Sequence, residues 1–162
     1  DSMRAIPVLV VLIWIYFAVP ILFGVTFAPF WAALVGLTLH IAAYAAEVIR
    51  AGIESIRPGQ TRAALALGMS QAQVLRKVLL PQATIRMLPA FASILTIAIK
   101  DTAIAAVIAV PELMHRAETV AGQSYRPVEV YTVVMLAYFL ILFPVTRGVD
   151  RLYQRLAHLG RS

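Results

Sequence analysis

Residues 5–46 contain no Asp, Glu, Lys or Arg. That charge-free run of 42 residues limits the possible folds more than any other feature. A single straight helix of that length would extend about 63 Å at about 1.5 Å per residue. A bilayer core is about 30 Å thick. The run therefore reads as two spans joined by a tight turn, helix one over 6–23 and helix two over 30–49. Gly24, Pro29 and the uncharged VTFA between them supply the turn. Its continuous apolar character excludes a half-buried strand. It is also too long for a cleaved signal peptide, and further spans follow it.

Two more apolar stretches follow. Residues 87–111 are interrupted by Lys100 and Asp101, and residues 130–146 approach the lower length limit for a span. The expected fold is thus an all-α, polytopic membrane helical bundle with four spans. Composition agrees: 61% of the 162 residues are apolar and 14% charged, with a mean hydropathy of +0.84. A soluble domain carries about a quarter charged residues, and a disordered chain needs low hydrophobicity. The chain has no cysteine, which excludes disulfides, thiolate metal sites and cysteine nucleophiles.

The formal charge of +6 could suggest nucleic-acid binding in a soluble protein, but here it follows the spans. Arg4 precedes helix one. Arg50, Arg57, Arg62, Arg76, Lys77 and Arg86 lie between helices two and three, and Arg147, Arg151, Arg155 and Arg161 follow helix four. The opposite side holds Arg116 and Arg126. Eleven against two places the N-terminus, the central loop and the C-terminus on the cytoplasmic side. Trp31, Tyr125 and Tyr131 then fall near the outer interface, where such rings concentrate, although plain packing explains them equally. The chain shows no internal repeat, low-complexity tract or domain boundary. Its opening Asp1-Ser2-Met3 does not look like a natural start, and an upstream segment is expected.

The central loop reads IRPGQTRAALALGMSQAQVLRKVLLPQA. Pro58 suits the first turn of a helix. Residues 60–67 are mostly helix formers, with Ala63, Ala64 and Leu67 on one face. Gly68 suits the left-handed residue that ends a helix. Ser70 and Gln73 form a capping box for a second helix over 71–80, with Leu75, Val78 and Leu79 on its apolar face and Pro81 as its stop. Two helices this short need something to dock on. They form either an amphipathic loop on the membrane or a rigid knob presented to a cytoplasmic partner.

The residues Ala63, Ala64, Gly68, Val78, Leu80 and Pro81 meet the pattern A-A-x(3)-G-x(9)-[IV]-x-L-P. This resembles the EAA loop of bacterial ATP-binding-cassette importer permeases, which docks into the ATPase subunit. Arg62 stands where the family has an acidic residue. MRAIPVLVVLIWIYF, AAYAAEVIRAGIESIRPGQ and IKDTAIAAVIAVPEL resemble, in order and spacing, segments of the polar amino-acid permeases, over about residues 4–156. RAIP and IRAGIESI are closest in wording to the glutamate/aspartate branch.

The resemblance implies one transmembrane permease domain over 1–162, with a coupling loop over 56–81 formed around Arg62, Ala63, Ala64, Gly68 and Pro81. Four spans of a five-helix permease core would be present, the N-terminal helix being absent. The implied function is the membrane-spanning subunit of an ATP-driven importer of a polar amino acid in the bacterial inner membrane. The implied partners are ATPase subunits, a second permease copy or homologue, and a periplasmic or extracellular solute-binding protein. No nucleic acid, cofactor or metal is expected.

Charges within spans are costly, at about 2.5–3.5 kcal/mol each for a central Lys or Asp. Adjacent residues diverge on a helix, so Lys100 and Asp101 are not an obvious mutual pair. A local helix break, with Thr102 satisfying freed backbone groups, would fit a cavity wall. Lys100, Asp101 and Thr102 then line a substrate pathway, where a zwitterion finds a cation and an anion; a network bracing the subunit interface is the other reading. Glu47 and Arg50 lie three apart on one helix face, as a helix-end ion pair or a gate contact. His40 fits polar packing, with a ligand role as the alternative. His115 and His158 fall in loops.

No catalytic residue is expected. The chain lacks H-E-x-x-H, G-x-S-x-G and the G-x-x-x-x-G-K-[ST] phosphate loop, so any ATP hydrolysis belongs to a separate subunit. The alternative function is an ion-coupled secondary transporter or channel, with Lys100 and Asp101 binding the ion. It would leave the central knob unexplained.

Overall fold

The computed structural model describes residues 5–159, with side chains as far as Arg155. Asp1, Ser2, Met3, Arg4, Arg161 and the side chain of His158 lie outside the described residues. The described chain is all-α. We number its helices α1 (Val8–Phe23), α2 (Pro29–Glu54), α3 (Pro58–Ala66), α4 (Gln71–Ile108), α5 (Leu113–Ser124) and α6 (Pro127–Leu159). Among the described residues α2, α4 and α6 are long and apolar enough to cross a membrane, and α1 is a shorter apolar helix.

Several boundaries differ from expectation. Helix two was expected over 30–49 and runs five residues further, because Arg50 bonds both Glu47 and Glu54 along its last turns. Pro81 does not stop the second loop helix. The chain passes from Gln71–Val74 through a π-helical turn, Leu75–Leu79, into Leu80–Asp101 without a break. A proline ring collides with the carbonyl four residues before it. For Pro81 that carbonyl belongs to Lys77, at the centre of the widened turn. Pro20 repeats the arrangement, with Tyr16 at the centre of the π-helical turn Trp14–Ala18. Both prolines are thus absorbed by a π-bulge upstream. The segment 112–129 holds an unforeseen helix, α5, which contains His115. The basic residues from Arg147 to Arg155 continue α6 instead of forming a separate tail.

The chain divides into two compact units, and α2, α4 and α6 supply residues to both. The first unit comprises residues 1–44 and 95–145. Its core joins Val11, Leu12 and Ile15 of α1 to Ala32 and Ala33 of α2, with Ala105, Ile108 and Val110. Leu12 is fully buried. Small residues allow this approach: a Cβ at Gly36 would lie 3.4 Å from Ile15 Cδ1 and 3.6 Å from Leu12 Cα. Close backbone contact through small side chains is a common way for membrane helices to pack. Gly24 ends α1 in the left-handed conformation expected of the turn, with φ of 65°.

The second unit comprises residues 45–94 and 146–162. Ile56, Ala83 and Met87 form its core, with Val48, Ile53 and Leu79 against them. Arg86 Nη1 donates to the Ser55 carbonyl at 2.6 Å, and Ser55 Oγ donates to the Gly52 carbonyl at 2.7 Å. Met87 lies directly over Gly52, where an added Cβ would fall 2.2 Å from Met87 Cγ.

That contact yields a first prediction. Gly52→Val should destabilise the protein by about 1–3 kcal/mol through overpacking. Met87→Ala should partly relieve the clash, so the double variant should lose less than the two single losses summed. Thermal unfolding of the detergent-solubilised protein, followed for all four members of the cycle, measures both quantities. Additive losses would show that Gly52 and Met87 do not press on one another.

Candidate functional site

The second unit contains the helix–Gly–helix bend expected from the central loop. Pro58 opens α3, and Gly68 takes φ of 81° just beyond its end. The Gly68 amide donates to the Leu65 carbonyl at 2.9 Å, and the Met69 amide to that of Ala64 at 3.2 Å. This paired closure is a Schellman motif, which satisfies carbonyls left over at the helix end. The capping box is present: Gln73 N donates to Ser70 Oγ at 3.4 Å, and Ser70 N to Gln73 Oε1 at 2.9 Å. The helix–Gly–helix bend is therefore held at both ends by local hydrogen bonds.

Its packing differs from expectation. Ala64 of α3 and Val74 of α4 are buried, whereas Ala63 and Leu75 are exposed and Leu67 is 83% exposed. Ala64 and Val74 are the buried apolar groups of the bend, Val78 and Leu79 are half-buried, and Ala63, Leu67 and Leu75 face outward. Arg62 and Pro81 are also exposed. In the same unit, Arg50 forks onto the Glu47 carboxylate through Nε and Nη2 and reaches Glu54 Oε2 at 2.6 Å through Nη1. The Glu47–Arg50 pair is thus part of a triad. Glu54, one turn on from Arg50, was readable from the same i,i+4 spacing.

The first unit collects polar groups at the end of α4. Its α-helical part ends at Asp101 and tightens into a 3₁₀ segment, Thr102–Ile108. Thr102 Oγ1 donates to the Ile99 carbonyl at 2.7 Å, satisfying a backbone group at the break. The segment ends at Ala109, held at φ of 59° by two closing bonds, from Ala109 N to Ala106 O and from Val110 N to Ala105 O. Asp101 is half-buried and within electrostatic reach of His40 on α2, while Lys100 is exposed. Two further polar residues join the group. Tyr138 on α6 lies within hydrogen-bonding reach of Thr102 and Glu112. Glu112 caps α5 with both oxygens, accepting from Met114 N at 2.8 Å and His115 N at 2.6 Å.

The break in α4 therefore gathers His40, Asp101, Thr102, Glu112 and Tyr138 in one unit. Asp101 and Thr102 were foreseen there; Glu112 and Tyr138 were missed. A tyrosine inside an apolar span was the available signal, because its hydroxyl needs a partner. Nothing in the sequence says which partner. Among the described residues no group of His, Cys, Asp and Glu is arranged to hold a metal ion.

Residues 1–158 match the family described as the binding-protein-dependent transport system inner membrane component. The chain is 37% identical over 151 residues to the arginine transport system permease protein ArtQ of Bacillus subtilis, covering 91% of this chain and 69% of that one. It is 36% identical over 157 residues to the glutamine transport system permease protein GlnP of Escherichia coli, covering 96% and 72%. A third relative, "Probable amino-acid ABC transporter permease protein YckA" of Bacillus subtilis, is 40% identical, covering 86% of this chain and 61% of its own. The chain thus spans 61 to 72% of the length of these relatives. The crystal structure of an amino acid ABC transporter with histidines superposes with a TM-score of 0.89 at 34% identity, covering 95% of this chain and 72% of that one.

Tyr138→Phe, which removes the hydroxyl beside Thr102 and Glu112, should lower stability by about 0.5–1.5 kcal/mol. Tyr138→Leu should cost more, through lost volume as well. Melting temperatures of the purified variants check the order. Wild-type stability of Tyr138→Phe would mean that the hydroxyl contributes nothing to the link.

Proposed function

The chain belongs to the family of binding-protein-dependent transport system inner membrane components, and on that premise we propose that it acts as the membrane-spanning permease of an ATP-driven importer for a polar amino acid. It is a multi-pass inner-membrane transport subunit. The observation that carries the proposal is the knob, a rigid bend with Leu65, Leu67 and Leu75 exposed. A lone chain gains nothing from apolar groups held out on a short helix and on the first turns of α4. An ATPase subunit docked there would bury them, with Arg62, Ala63, Ala64, Gly68 and Pro81 shaping the contact. The other partners in this reading are a second permease copy or homologue and a solute-binding protein outside.

The subunit breaks and makes no covalent bond. Its work is to alternate access to a site inside the membrane while the docked ATPase supplies the free energy. A ligand can shift such an equilibrium only by binding the two states unequally. Lys100, Asp101 and Thr102 line the substrate route in this reading, at the break in α4. The named relatives handle arginine and glutamine, whose side chains differ in charge. What those substrates share is the α-ammonium and the α-carboxylate, so a site common to them reads these two groups. The Glu47–Arg50–Glu54 triad braces the inner end of α2.

The defining experiment is reconstitution of the complete transporter, with its ATPase and binding protein, and measurement of amino-acid uptake beside ATP hydrolysis. Gly68→Val tests the knob within it. No atom lies within 4 Å of a Cβ placed there, so the cost comes from the backbone. At φ of 81° a β-branched residue suffers about 1–2 kcal/mol of strain. The expected response is a shift of the second leg, with uptake abolished while the permease still inserts and the binding protein still loads ligand. Wild-type uptake and stimulated ATPase activity in this variant would reject the knob as the coupling element.

Orientation has its own test. The basic residues predict Gly59 in the cytoplasm and Gln123 outside. The chain carries no cysteine, so single cysteines at these positions label against a clean background. An impermeant thiol reagent should label position 123 from outside and leave position 59 untouched in intact cells. The reverse pattern would overturn the orientation.

A further inference from the structure

Between α5 and α6 the first unit carries an open groove of about 390 Å³, a volume in the range of small-molecule sites. Its floor includes Ala117 and Val134, both buried, and its walls include Val120 and Val133, which are 50% and 64% exposed. Arg116 and Glu129 are the two charged residues beside it, and both are exposed. Among the described residues neither has an ion-pair partner. Glu129 is favoured where it stands, in the first turn of α6. Arg116 is not, because it is the fourth residue of α5, near the end where a helix repels cations. The acid one turn earlier, Glu112, uses both oxygens on the amides of Met114 and His115.

The groove also has a definite place along α6. Glu129 is the last charge before the charge-free residues 130–146, so this wall descends from a charge directly into the span. The same face continues through Leu136 and Leu140, both exposed. Charge at one end and apolar surface along the rest match the head and tail of a lipid.

We propose that the groove binds phosphatidylethanolamine, with an acyl chain along the valines, the phosphate on Arg116 and the ammonium on Glu129. Arginine meets phosphate through a fork of N–H donors, and the ammonium supplies the N–H donors that a carboxylate accepts. The zwitterionic head finds one unpaired charge of each sign. An anionic lipid meets Arg116 alone and sets its charge against Glu129. Phosphatidylcholine carries the phosphate, but its quaternary ammonium has no N–H to donate. The site requires only that α6 crosses a bilayer and is independent of the substrate carried. A second copy of the chain is the competing occupant, since a two-fold axis would bring Arg116 of each copy to Glu129 of the other.

The test is lipid binding to the purified full-length protein, delipidated in detergent and titrated with one lipid at a time, with bound lipid counted by native mass spectrometry. The probes are dioleoyl phosphatidylethanolamine, phosphatidylcholine and phosphatidylglycerol, which share their tails. Wild type should bind phosphatidylethanolamine about tenfold more tightly than the other two. Arg116→Gln should weaken phosphatidylethanolamine about tenfold. Glu129→Gln should erase its advantage over phosphatidylcholine and leave phosphatidylglycerol no weaker. Both side chains are exposed and unpaired, so the variants should fold as wild type does. Should Arg116→Gln fail to fold, Arg116→Lys keeps the charge but loses the fork, and should weaken phosphatidylethanolamine about threefold.

Equal affinity of wild type for the three lipids would overturn the site. So would a preference for phosphatidylethanolamine that survives Glu129→Gln. In native membranes, a disulfide between two copies carrying Val133→Cys would give the groove to a second copy and overturn the lipid site as well.

Discussion

A peptide group inside lipid finds no water to bond, so a chain that crosses a membrane must satisfy its own backbone wherever a helix ends or breaks. This chain does so locally at several of those points. Gly24 and Gly68 close helices in the left-handed conformation that glycine enters without steric penalty. Ala109 and Tyr125 close helices in the same way despite their side chains, at φ of 59° and 55°. Ser70 and Glu112 cap helix starts through their side chains. The strain at Ala109 lies at the end of the 3₁₀ segment that follows Asp101, and non-glycine residues in such conformations persist where the surroundings determine them. Here the surroundings are two backbone hydrogen bonds and the buried pair Ala105 and Ile108.

The same constraint acts at two of the in-helix prolines, while Pro89 and Pro144 lie within α-helix with no π-helical turn beside them. A proline removes one donor and pushes against the carbonyl four residues earlier. At Pro20 and Pro81 the helix answers by widening one turn at the crowded carbonyl and then continuing. For α4 the consequence is continuity. The second leg of the knob and the Asp101–Thr102 break belong to one continuous helix of 38 residues. A stop at Pro81 would have made them separate elements.

Side-chain size divides the two units. In the first, Ala32, Ala33 and Gly36 let α2 come close to α1. In the second, Gly52 leaves room for Met87. These contacts set the helices at spacings where the polar groups of each unit meet. Arg86 reaches a backbone carbonyl in one unit, and His40 comes within reach of Asp101 in the other. By contrast α6 buries little of its apolar length, and Phe139, Leu140 and Met135 all remain exposed. In lipid such a surface carries no penalty.

Much of this was legible before any coordinates. The charge-free run required two apolar helices and a turn, and Gly24 ends the first of them, α1, which is shorter than the candidate spans α2, α4 and α6. The capping box at Ser70 and the left-handed Gly68 were readable because both depend on residues within a few positions. The Glu47–Arg50 pair is equally local, as is the helix break eased by Thr102. Other features needed the fold. Pro81 reads as a stop in isolation, but the helix continues through it beyond a π-helical turn. Ala63, Ala64 and Leu67 all look apolar, but the docking of two legs decided that Ala64 is buried and Leu67 is not. The meeting of His40, Asp101, Thr102 and Tyr138 joins residues up to about a hundred positions apart, and no pattern of period 2 or 3.6 encodes such a distance. Local hydrogen-bonding and the cost of charge in lipid thus determined the spans, caps and bends from sequence alone. Which polar side chains face one another was decided by helix packing, because that depends on the sizes of residues on several helices at once.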